Sequence, residues 1–101
     1  MIDNVQIAIL TKVNELANRF GIKAHEFVAV IDDAADRSNM VLRYEAPPSK
    51  NVDKIKAFNK MLDLLGVTQS AHEFTGTPEQ LLEALDYAIH SAPKQRSLRQ
   101  L

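Results

Sequence analysis

The sequence predicts an α+β domain in which three helices pack on a small two- or three-stranded sheet, in the order α-β-β-α-(β)-α. Three observations lead there. Three stretches repeat apolar residues at helical spacing, and two of them stop at a glycine. Between the first two lie short runs rich in β-branched and aromatic residues, which favours strands, although Ala34 to Arg37 could also continue a helix. The 101 residues leave room for one hydrophobic core, with 46% apolar residues to build it and 25% charged residues to solvate it.

The first helix is expected from about Asp3 to Phe20. Asp3 caps it, Gln6 takes the reciprocal position of a capping box, and Ile2 and Ile7 stand where a hydrophobic staple would place them. Ile9, Val13, Leu16 and Phe20 form its apolar stripe, which Leu10 and Ala17 widen. Gly21 supplies the left-handed stop.

Phe27 to Ile31 and Met40 to Glu45 are the expected strands, joined as a hairpin by Ala34 to Asn39. In the second, Val41, Arg43 and Glu45 alternate with Leu42, Tyr44 and Ala46, so one face is wetter. The next helix spans about Val52 to Leu65, with Ile55, Phe58, Leu62 and Leu65 as its stripe and Gly66 as its stop. His72 to Thr75 is a candidate third strand. The last helix is the best marked, with Thr77 as cap, Pro78 in the first turn, Glu79 near the positive helix end and Gln80 closing a capping box. Leu82, Leu85 and Ile89 form its stripe, Leu81, Ala84 and Ala88 lie beside it, and Pro93 follows its end.

Residues 1–92 are thus read as a single globular domain and residues 93–101 as a flexible basic tail. The tail carries Lys94, Arg96 and Arg99 with no acid, which leaves nine basic and thirteen acidic side chains, a charge of −4, in the rest of the chain. A mildly acidic body does not attract a phosphate backbone, so nucleic acid is not the expected partner. With no cysteine, disulfides, thiolate metal sites and cysteine nucleophiles are all absent. The N-terminus has no basic region ahead of its apolar stretch, and the apolar runs are far too short for a membrane span. The expected location is the cytoplasm.

Chemistry-bearing patterns are few. Ala24-His25-Glu26-Phe27 recurs as Ala71-His72-Glu73-Phe74, which would matter if two His–Glu pairs met at one metal or proton-transfer site. Neighbouring strand residues point to opposite faces, however, and the similarity ends after the phenylalanine. Asp32, Asp33 and Asp36 form an acidic cluster without the glycine and terminal glutamate of a calcium loop. No nucleophile elbow, glycine-rich phosphate loop or His-Glu-x-x-His is present, and His90 stands where a cation favours a helix end. No catalytic, cofactor-binding or metal-ligating residue is assigned.

The sharpest motif is a helix-turn-helix pattern from Val13 to Asp32, with Ala17 at the close approach and Gly21 at the turn. Its second helix would offer Lys23 and His25 to DNA, with Lys94, Arg96 and Arg99 as possible backbone contacts. That surface has no Arg, Asn or Gln to read base edges. The preferred expectation is a non-enzymatic protein-interaction or accessory module without a cofactor, acting as a homodimer. The DNA-binding regulator is the alternative, and a small enzyme with a scattered site the third reading. A small sheet leaves edges unpaired, and self-association is expected through such an edge, Met40 to Glu45 having only Arg43 and Glu45 as charges, or through an apolar helix face.

Overall fold

The computed structural model describes residues 4–23, 26–33, 38–45 and 50–92. They form α1 (Asn4–Arg19), β1 (Val28–Asp33), β2 (Met40–Glu45), α2 (Val52–Leu65), β3 (Glu73–Gly76) and α3 (Pro78–Ser91). This is the expected order, with three helices and a three-stranded antiparallel sheet. The expected Asp3 cap, the Ile2 half of the staple, Asp36, Pro93 and most of the β1–β2 connection lie outside the described residues.

Local chemistry sets the helix ends. Gly21 (φ 76°) and Gly66 (φ 77°) adopt the left-handed conformation that lets the chain turn back. After α1, the Ile22 N–H reaches the Ala17 carbonyl at 2.9 Å; after α2, the Val67 N–H reaches that of Leu62 at 2.9 Å. Asn51 caps α2, its side-chain oxygen accepting from the N–H groups of Asp53 (3.0 Å) and Lys54 (3.2 Å). The capping box of α3 is complete: the Gln80 N–H donates to Thr77 Oγ1 at 3.1 Å and the Thr77 N–H donates to Gln80 Oε1 at 3.0 Å.

The core lies between the helices and the inner face of the sheet. Ile9, Val13, Leu16 and Ala17 of α1 are buried, as are Leu81, Leu85, Ala88 and Ile89 of the adjacent α3. Leu42 and Tyr44 are the buried side chains of β2, with Ala29, Ile31 and Phe74 packed against the cluster from its neighbours. Two helix stripes differ from expectation. In α2 the buried set is Phe58, Met61, Leu62 and Leu65, while Ile55 is 44% exposed. In α3 the buried set is Leu81, Leu85, Ala88 and Ile89, and Leu82 is partly buried and packed against the core.

Candidate functional site

The sheet order is β1-β2-β3, so β2 is the central strand. This corrects the expectation that Met40 to Glu45 offers an edge for self-association: β3 pairs with its far side over Met40↔Gly76 to Arg43↔Glu73. The edges are β1 and β3.

Hydrogen-bond alternation identifies the exposed backbone groups of β1. The Tyr44 N–H donates to the His72 carbonyl at 2.9 Å, so the backbone of Tyr44 points toward β3. In an antiparallel ladder successive residues bond to opposite sides, which turns Val41, Arg43 and Glu45 toward β1. Their partners there are Asp32, Val30 and Val28. Ala29, Ile31 and Asp33 therefore present their N–H and C=O groups on the outer side, where no described strand pairs with them. Edge strands are commonly protected by charges, proline or bulges. Along Val28-Ala29-Val30-Ile31 there is no charge and no proline.

The outward face of the sheet adds an apolar strip beside that edge. Val28 is 49% and Val30 43% exposed. Next to them Arg43, on β2, bridges the sheet: its Nη2 lies 3.0 Å from Asp32 on β1 and its Nε 3.4 Å from Glu73 on β3. These groups are about half exposed, so each pair contributes well under about 1 kcal/mol. The pairs gather one cation and two carboxylates in the middle of the face, leaving Val28 and Val30 as its apolar margin.

On the inner face, Tyr44 is 2% exposed, and its hydroxyl has no hydrogen-bond partner among the described residues. Burial pushes this phenol far above the ordinary tyrosine value, because the charged form would be stripped of water.

The other sequence patterns do not converge on a site. Ala24 and His25 lie outside the described residues, and the remaining halves of the repeat play different parts. Glu26 accepts from the Lys23 N–H at 2.8 Å and pairs with Lys54 at 3.0 Å, whereas Glu73 meets Arg43. Phe27 is buried just before β1, while Phe74 lies inside β3. The His72 ring stands edge-on to Phe58, 5.8 Å between centroids, and His72 itself has φ 54°, a strained value for a residue with a Cβ. Among the described residues no group of three or more His, Asp or Glu side chains could hold a metal ion. Asp32 is engaged by Arg43, and His90 Nδ1 lies 2.8 Å from the Asp86 carbonyl within α3, a helix-end contact.

The helix-turn-helix pattern loses its second element, because Val28–Asp33 is a strand. The physical reason is the composition of that segment: it is rich in β-branched residues, Val28, Val30 and Ile31, and finds a pairing partner in β2. Of the possible DNA-contacting residues, Lys23 is exposed after α1, while His25, Lys94, Arg96 and Arg99 lie outside the described residues. No described helix is long and apolar enough to cross a membrane.

Comparison with protein-family models, with curated proteins and with solved structures found no match.

The sequence reading missed the edge itself. Its one signal was the absence of any charge before Asp32 in the first strand, which marks a poorly protected edge once the strand is known to be terminal.

Proposed function

We propose that this chain is a cytoplasmic protein-interaction module, not an enzyme, and that it works as a homodimer paired through the outer edge of β1. The observation that carries the reading is the row of outward backbone groups at Ala29, Ile31 and Asp33 that no described strand pairs, flanked by exposed Val28 and Val30.

Antiparallel pairing of two copies about a two-fold axis satisfies those groups and makes one continuous six-stranded sheet. Faces stay continuous only when opposed residues point the same way. Placing Val30 on the axis meets this condition. Ala29 of each copy then opposes Ile31 of the other as a hydrogen-bonded pair, and the two Val30 side chains meet on the outward face as a non-hydrogen-bonded pair, with Cα atoms about 4.5 Å apart.

The test exploits the absence of cysteine from the chain. Val30→Cys introduces a lone thiol at a position whose Cα separation across the axis falls in the range of about 4.4–6.8 Å that a disulfide accepts. Mild oxidation should give a covalent dimer in high yield, and the wild-type chain should sediment as a concentration-dependent dimer. Ala29→Pro should shift it to monomer. The lost N–H faces outward, so the β1–β2 ladder survives and circular dichroism should stay native-like. A wild-type monomer across micromolar to millimolar concentration, with no cross-link from Val30→Cys, would sink the proposal.

A further inference from the structure

Independently of the β1 edge, two hollows meet at the C-terminal end of α2. One, of about 630 Å³, lies between α2 and α3 and is lined by Asp63, Leu64 and Leu65 from the first helix and by Glu83, Ala84 and Tyr87 from the second. The other, of about 380 Å³, is lined by Phe20, Lys60, Asp63 and Leu64. Asp63 and Leu64 border both, so the two hollows adjoin along the last turns of α2, with Leu64 and Ala84 among the apolar side chains that line them.

Its electrostatics are specific in sign. Asp63 and Glu83 make no ion pair among the described residues. The last turn of α2 contains no basic residue, so the negative end of the helix dipole stands uncompensated beside them. Lys60, one turn earlier, is the cation of the smaller hollow and leaves the larger one acidic. Tyr87 is 66% exposed, which places an aromatic ring with little cover beside two carboxylates. A cation held over a ring and near carboxylates gains from both.

We infer that this groove docks an extended segment of a partner protein that carries an arginine or lysine with an apolar residue two positions away. Side chains at i and i+2 of an extended segment share a face, roughly 7 Å apart. The cation then lies against Tyr87 between Asp63 and Glu83, and the apolar side chain enters the hollow between Phe20 and Leu64. Charge complementarity selects this occupant: an acidic segment would meet two carboxylates that no described cation pairs and a helix C-terminus.

The probe is a heptapeptide of glycine and serine carrying leucine and arginine two positions apart, titrated into the isotopically labelled full chain and followed by amide chemical shifts. Shifts should concentrate at residues 63–66 and 80–87, and the arginine peptide should bind at least fivefold tighter than its glutamate counterpart. Tyr87→Ala and the double variant Asp63→Asn, Glu83→Gln should each weaken binding at least fivefold; all three side chains are exposed, so the fold should not respond. Equal binding of the glutamate peptide, or shifts away from the groove, would overturn the inference. So would a several-fold gain in affinity when the chain is ended at Ala92, because the chain's own basic tail would then be the occupant. Unchanged affinity in that shortened chain supports a partner segment.

Discussion

Replacing Tyr44 by phenylalanine removes one oxygen atom from the centre of the core, and the structure gives its consequence an unusual sign. A buried tyrosine that is hydrogen-bonded loses about 1 kcal/mol of stability on this change. Here the hydroxyl is buried without a partner among the described residues, so the native state carries a desolvation cost of about 1–3 kcal/mol for that group. Tyr44→Phe relieves it at the expense of a few dispersion contacts, for a net gain of about 1 kcal/mol. For a domain of this size that raises the melting temperature by roughly 4–8 °C. Urea denaturation at fixed protein concentration should show a higher midpoint with an unchanged slope. A loss of about 1 kcal/mol or more would refute the reasoning, since it would mean that the hydroxyl has a partner. The pH dependence supplies a second check. Burial raises the folded phenol above its ordinary value, so above about pH 10 the unfolded chain releases this proton while the folded chain retains it. The unfolded state then binds fewer protons, and stability, complete below that pH, falls by up to about 1.4 kcal/mol per pH unit on this group's account. Tyr44→Phe should remove that share of the alkaline loss.

Two further outcomes test the helix ends. Gly66→Ala should cost about 1 kcal/mol in chemical denaturation, although a Cβ there meets nothing within 4 Å, because the residue is held at φ 77°. An unchanged midpoint would show that the left-handed stop of α2 is dispensable. Thr77→Ala should cost about 1 kcal/mol by removing the acceptor of the Gln80 N–H, and amide exchange should accelerate in the first turn of α3.

The elements whose signals are local were legible from residue order. Gly21 and Gly66 end helices because they lack a Cβ, Thr77 and Gln80 close a box within four residues, and the spacing of Ile9, Val13 and Leu16 marks a buried face. Each such signal involves residues within one or two turns of each other, so their chemistry acts before any distant contact forms. Ile55 and, to a smaller degree, Leu82 are less covered than helical spacing alone predicts, for the converse reason. Their helical positions are apolar, but whether an apolar side chain is covered depends on how far a neighbouring element extends.

The sequence by itself therefore determined the three helices, the favoured strand pair and their order, because backbone propensity, capping and hydrophobic period are local properties. The third strand stayed optional, and its pairing with Met40–Arg43 decided it. Tertiary structure alone decided which strand is central. The residue pattern favoured Met40–Glu45 as an edge, and only its pairing with Glu73–Gly76 makes it central and leaves Ala29, Ile31 and Asp33 facing outward with no described strand beside them. It also brought Asp63 near Tyr87 and Glu83, some twenty residues away in sequence, to make one groove. Strand order and groove composition depend on contacts between distant segments, and the free energy of those contacts comes from shared burial that no single segment's pattern encodes.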